Sequence, residues 1–420
     1  MDLKSKILKH KSNGRIVYSA KDEAVHKELQ KINQEIINKY SIKIPNRNAI
    51  IRTVIQFLSQ GEIYLNRKEL IFTPLKFKMI KMDIKNFFPS INKHILYSKI
   101  VKSSILNDSS IDTIKSFIFS DEYKGVPLGL SFSNSLSELY LEEFDSTVQL
   151  SWKPLLYVRY VDDILLIVNE SVDEQSVISF VENELKDYHL ELNSDKTIVR
   201  KSDLTNFRLT YLGYEFSKYQ VQYTDLSGKV KTKDYLAIDV SEEKFNSKVL
   251  NKLIRSFKRF ENSYQQPESF WILYYRLRNL IQGVSSKSQN NQIVKFGLSY
   301  SYIFINSTDR IKRLLKIYHH FVRYYRKNNY LSSKQTYLLL DLVSVNNKVI
   351  TSESVRGEML LLLDSRYHYE KLSIKTLENI CLRIGMSIDS RSYTNKYLEY
   401  YKINLQKKIM KKLSFRFGSM

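Results

Sequence analysis

The sequence contains a single cysteine, Cys381, only six prolines and eleven glycines, and two tryptophans in 420 residues. One cysteine forms no intrachain disulfide and no cysteine-built zinc site, and it suits a reducing compartment. Its expected place is a packed core. So little proline and glycine excludes collagen-like and low-complexity chains. No run of 18 consecutive apolar residues occurs, so no membrane-spanning helix is expected. The opening residues, MDLKSKILKHKSNGR, are charged and lack the apolar stretch of a secretory signal. A cytoplasmic protein without a membrane partner is the expectation. Acid is scarce as well: 44 Asp and Glu face 66 Lys and Arg, a formal net charge of +22.

Against these shortages stand 43% hydrophobic and 13% aromatic residues, 30 of them tyrosine, enough for a large core and too much for a disordered chain. A charge excess of this size points to a polyanion held through salt-dependent phosphate contacts. The charge is spread along the chain, except in the tail YKINLQKKIMKKLSFRFGSM, which has six basic residues and no acid. Charge names a class of partner but no reaction.

Apolar spacing predicts helices over residues 21–40 (Val25, Leu29, Ile32, Ile36, Tyr40) and, after Pro45, over 46–59. Residues 62–82, with Arg67, Lys76 and Lys78, read as a basic hairpin feeding a strand that continues past Asp83 toward Pro89. A single helix is predicted over 133–148 and another over 175–190. LLYVRYVDDILLIV, residues 155–168, reads as two apolar strands with Asp162 and Asp163 at the turn. Beyond about residue 240 the pattern becomes one amphipathic helix after another. His319 and His320 lie without metal-type spacing and read as polar-face residues.

Adjacent carboxylates between apolar strands are costly unless a cation compensates. A pair of magnesium ions does so, since hard cations take carboxylate oxygens and keep substrate phosphates as further ligands. Any one aspartate reads equally well as a strand end or turn cap. The order of the segments around them decides the matter.

DIKNFFPSI, GVPLGLSFSNSLSELYL, RYVDDILLIV, LELNSDKT and TYLGYEF, in that order, resemble the palm motifs and primer grip of the reverse transcriptase family, over about residues 46–216. The resemblance implies that Asp83 and Asp162 hold two Mg2+ ions with the Ile84 carbonyl, and that Asp163 supports them. It implies a nucleotide site of Ile84, Phe87, Phe88, Pro127, Leu128 and Gly129. Phe88 would stack beneath the sugar and exclude a 2′-hydroxyl, while Phe87 faces the core as its neighbour on a strand. Gly125, Pro127 and Gly129 would form a tight loop. Leu128 stands where many relatives carry Gln, a departure that bears on templating. Lys196 would protonate the departing pyrophosphate. Tyr211, Leu212 and Gly213 would grip the primer, and Arg47, Arg52, Arg67, Lys76 and Lys78 lie where the fingers contact triphosphate or template.

The resemblance also implies a fold: an α+β right-hand polymerase followed by an all-helical C-terminal region. Residues 1–45 would be a helical extension, 46–239 fingers and palm, 240–300 the thumb and 301–420 a basic helical domain. PNRNAIIRTVIQFL, His94 and Ser137-Glu138 resemble bacterial abortive-infection and defence-associated members. That implies an RNA-directed DNA polymerase using dNTPs and a noncoding RNA template, with a homo-oligomer or partner protein. Untemplated, protein-primed synthesis and a catalytically inert nucleic-acid-binding assembly protein remain alternatives. RIKRLLKIYHHFVRYYRKNNY reads either as phosphate contact with base stacking or as a bundle helix with a tyrosine core stripe.

Overall fold

The computed structural model describes residues 4–12, 14–61, 69–204, 206–287, 293–388 and 395–414. The chain divides into two compact units: Met1–Ile63 with Ile71–Arg208, and Tyr64–Leu70 with Leu209–Met420. Arg67 falls outside the described residues.

The first unit is built on a four-stranded antiparallel sheet in the order Leu156–Tyr160, Asp163–Asn169, Phe77–Asp83, Ile198–Lys201. Phe77, Met79, Ile80 and Met82 are all buried, as a strand paired on both edges and covered on its faces requires. Helix Glu23–Lys39 starts where Asp22 accepts from the Val25 amide, and it buries Val25, Leu29, Ile32 and Ile36. Helix Glu174–Asp187 buries Val177, Val181 and Leu185. Both join one apolar core with the sheet.

Three local expectations change. Residues 1–45 are not wholly helical: an antiparallel hairpin of Ile7–Ser12 and Arg15–Ala20 precedes the helix, with Ser12 opposite Arg15 and Gly14 at φ +79°. The strand through Asp83 ends there, and Phe87–Ser90 forms a short helical turn. The helix over 133–148 is two helices, Ser133–Tyr140 and Glu142–Trp152, separated at Leu141.

The second unit places Arg208–Tyr211, Tyr214–Thr224 and Val230–Val240 side by side in one sheet. Helices then dominate, among them Asn251–Glu261, Ser269–Ile281, Asp309–Lys327, Ile374–Arg383 and Asn395–Leu413. The region is helical but not all-helical. Gly283–Lys287 pairs with Ile293–Phe296 and, in parallel, with Arg366–His368, strands too short to reveal a period of two. Tyr318 and Tyr325 are buried, so the tyrosine stripe of Asp309–Lys327 is core. His319 is buried too, its Nε2 2.8 Å from the Ile350 carbonyl, against its expected polar face; His320 is exposed. Cys381 is buried as expected. Among the described residues no helix is long and apolar enough to cross a membrane.

Candidate active site

The sheet of the first unit brings the three aspartates to one end. Asp83 closes its strand directly opposite Asp163, which opens the next, and Asp162 lies in the turn between Tyr160 and Asp163. The Ile84 amide donates to the Asp162 carbonyl at 3.0 Å, fixing the turn to the end of the central strand. Val161, the other turn residue, has φ +61°. A β-branched residue in the left-handed region costs on the order of 1–3 kcal/mol. The turn is therefore held by its surroundings.

Arg159 is the main support. Its guanidinium donates to both carboxylate oxygens of Asp145 at 2.8 and 2.7 Å, to both of Glu138 at 3.3 and 2.7 Å, and to the Val161 carbonyl at 3.0 Å. With its side chain only 3% exposed, Arg159 ties helices Ser133–Tyr140 and Glu142–Trp152 to the aspartate turn. Although burial opposes the charge, the two carboxylates hold the guanidinium protonated.

Asp83 is buried, and two side chains from the segment before Ile198–Lys201 reach it. Lys196 donates to both of its carboxylate oxygens at 3.0 Å, and the Asn193 side-chain amide donates at 3.3 Å. The Asn193 backbone amide also donates to the Asp83 carbonyl at 2.7 Å. Lys196 thus lies beside Asp83. Asn193 adds a contact that its motif neighbours had hidden.

Burial raises the Asp162 pKa and Asp83 adds to it, with Arg15 and Lys196 opposing. Burial pushes Asp163 up to about 6, Asp162 and Asp83 add to this, and Lys81, 4.0 Å away, counters it. Arg15, on the N-terminal hairpin, and Lys81 are site cations that motif spacing did not single out. A basic residue next to Asn13-Gly14, a strong hairpin signal, was the only hint of the first.

The loop of Gly125, Pro127 and Gly129 also assembles. The Val126 amide donates to the Phe88 carbonyl at 2.9 Å, and the Tyr18 amide donates to the Leu128 carbonyl at 2.8 Å. Gly125 has φ +60°, and a Cβ there would lie 2.1 Å from the Phe88 carbonyl oxygen. At Gly129, φ +103°, a Cβ would lie 2.6 Å from both the Tyr18 carbonyl oxygen and a Val17 methyl. The Ser133 hydroxyl donates to the Pro127 carbonyl at 2.6 Å, joining loop to helix. Phe87 and Phe88 are both buried on one helical turn, ring centroids 5.5 Å apart, so the alternation of a strand does not separate them.

Lys76 and Lys78 do not converge on the aspartates. Lys78 is buried at the opposite end of the central strand, donating to the Val172 carbonyl and to Glu174, and Lys76 pairs with Glu170 at 3.9 Å. Five residues of strand, about 16 Å, separate Lys78 from Asp83, too far for a shared triphosphate. Arg47 and Arg52 lie on helix Arg47–Leu58. Tyr211, Leu212 and Gly213 belong to the second unit; Tyr211 is fully buried, and Leu212 and Gly213 make a half-exposed turn at φ +44° and +80°.

Among the described residues no three Asp, Glu, His or Cys side chains converge as a ready-made metal cage. Magnesium needs no such cage: it is held by one or two carboxylates and keeps waters and substrate phosphates. The oxygen donors of Asp83 and Asp162, with mutually unfavourable charge, fit that chemistry.

A profile described as "Reverse transcriptase (RNA-dependent DNA polymerase)" matches residues 7–216, half of the chain. Among solved structures, telomerase from Candida tropicalis in complex with a TWJ fragment of telomeric RNA is 15% identical, TM-score 0.39, over 98% of this chain and 62% of that one. Telomerase from Candida albicans, also with a TWJ fragment, is 14% identical, TM-score 0.37, over 94% and 55%. A C-terminally truncated apo telomerase from Candida tropicalis is 18% identical, TM-score 0.35, over 49% and 45%. The chain thus spans about half the length of these telomerases. No curated protein matches.

Proposed function

The chain belongs to the reverse transcriptase family, and from that premise we propose that it is a working RNA-directed DNA polymerase that copies a noncoding RNA in bacterial antiphage defence. The observation that carries the catalytic part is the meeting of Asp83, Asp162 and Asp163 at one sheet end, with the pKa of Asp162 and Asp163 raised by burial and by their neighbours. Asp83 and Asp162 would hold two Mg2+ ions, with the Ile84 carbonyl assisting and Asp163 supporting. Bound there, the ions neutralise charge on the attacking and leaving oxygens of nucleotidyl transfer.

The protein's own groups do the rest. Lys196, 52% exposed and resting on Asp83, is free to turn toward a departing pyrophosphate and donate its proton. Arg15 supplies a cation toward Asp162 from the N-terminal hairpin. Phe88, backed by Gly125 and Val126, would lie beneath the sugar and favour dNTPs. Leu212 and Gly213 would meet the primer.

The defence role draws on the resemblance of PNRNAIIRTVIQFL, His94 and Ser137-Glu138 to abortive-infection enzymes, and on the mainly helical C-terminal region. Assembly with further copies or a partner protein in the cytoplasm belongs to the same reading. One observation favours untemplated, protein-primed synthesis as a second reading: the loop offers Leu128, its carbonyl already bonded to Tyr18, where a side-chain amide would handle the base pair.

The two readings separate in one experiment. Purified protein, with and without its co-purifying RNA, is given Mg2+ and each labelled dNTP or NTP, and products are treated with nuclease and protease. Product from dNTPs that requires the RNA supports templated synthesis. Label that stays on the protein without RNA overturns it in favour of protein priming.

A further inference from the structure

The basic tail seen in the sequence has a structural counterpart. Within the second unit, helices Asn251–Glu261, Ser269–Ile281 and Asn395–Leu413 and the turn at Gly385 line a cavity of about 770 Å³. Among the described residues that line it, five are cations, Arg259, Arg276, Lys408, Lys411 and Lys412, and none is Asp or Glu. Serines and a glutamine supply hydrogen-bonding groups, while Phe260 and Ile272 supply apolar wall.

The cations are concentrated rather than merely present. Arg276 is half-buried, its Nε donating to the Leu413 carbonyl at 3.2 Å. Burial lowers its pKa to about 10, and Arg259 and Arg255 add to that effect. Like charges gathered in a partly desolvated hollow favour an anion beside them. Guanidinium groups match phosphate bidentately, and lysines add point charge. A hollow of this size is in the range of small-ligand sites, and an apolar wall beside the cations suits a base and sugar attached to phosphate.

We propose that this cavity binds the phosphate groups of a nucleotide unit, carried either at the end of a nucleic-acid strand or by a free nucleotide. It uses none of the residues assigned to polymerisation and stands apart from that reading.

The test is fluorescence anisotropy of the full chain with a 3′-labelled hexathymidylate, with or without a 5′-phosphate, in EDTA at about 50 and 200 mM salt. Without metal the result does not depend on polymerase activity, so failure here leaves that reading standing. Lys408 and Lys412 are exposed, so Lys408→Ala/Lys412→Ala should fold, as checked by circular dichroism. It should weaken binding about tenfold and lower the slope of log affinity against log salt by about 1.4. Lys407→Ala, exposed on the same helix but outside the cavity, should match wild type. Dependence on the 5′-phosphate assigns a strand end, and displacement by dTTP assigns a free nucleotide. If the double variant does not fold, Lys408→Arg/Lys412→Arg must bind like wild type. Unchanged binding by the folded double variant, or equal displacement by oligoglutamate, overturns the proposal.

Discussion

Each unit of the molecule gathers charge of one sign, but by different means. In the first, three aspartates are placed by backbone: Asp83 and Asp163 by sheet register, Asp162 by a turn whose carbonyls bond Ile84 and Arg159. In the second, five cations reach a cavity on long side chains from helices, three of them exposed lysines. Fixed carboxylates suit chemistry that depends on where atoms sit. Cations carried on long side chains suit capture, where only the potential matters. The contrast teaches that charge excess and candidate catalytic site are separate properties of this chain, one carried by composition and the other by position.

The largest expected effect strikes the rigid side. Arg159→Ala leaves Glu138 and Asp145 without their guanidinium, and removing one member of such a buried network costs about 3–5 kcal/mol. A fall of that size in the denaturation free energy is the expected result, and Arg159→Lys should recover only part of it, because an ammonium cannot reproduce the fork. Equal stability of wild type and Arg159→Ala would break the claim that the turn is held from behind.

A buried carboxylate in the second unit, on strand Val230–Val240 opposite Glu215, sharpens the contrast. Burial pushes Asp239 up to about 7, partly offset by the Val240 amide at 2.8 Å and the Arg310 amide at 3.3 Å. Its folded pKa lies above the unfolded value near 3.9. The native state therefore binds more protons between about pH 4 and pH 7, and stability falls as pH rises through that window. Denaturation at about pH 5 and pH 8 should differ through this group by on the order of 2 kcal/mol. Asp239→Asn should erase that part of the difference.

The smallest effect concerns selectivity. Phe88→Ala opens space beneath the sugar, so preference for dNTP over NTP should drop about tenfold, about 1.4 kcal/mol, as read from the two kcat/KM values. An unchanged ratio would return Phe88 to the core beside Phe87.

Much of the first unit was legible because its elements obey local rules. The hairpin around Asp162 alternates apolar strands about a polar turn, and helix Glu23–Lys39 has both its cap and its stripe in sequence. What escaped was non-local. Arg159 reads as one more basic residue until Glu138 and Asp145 arrive from two helices, and Arg15 lies well over a hundred residues from Asp162. The strand through Asp83 looked longer than it is because apolar Ile84, Phe87 and Phe88 continue past the chain's turn. In the C-terminal region, strands of three to five residues carry no readable period, so the small sheet was hidden among helices.

The central claim is that the aspartates at the sheet end perform nucleotidyl transfer. The direct measurement is incorporation of labelled dNTPs in Mg2+ by wild type and by Asp162→Ala/Asp163→Ala, with both proteins shown to be folded. Incorporation by wild type and a loss of at least about a thousandfold in the variant, about 4 kcal/mol in the barrier, is the expected result. Equal incorporation by the variant, or none by wild type with any template or nucleotide, would contradict the account.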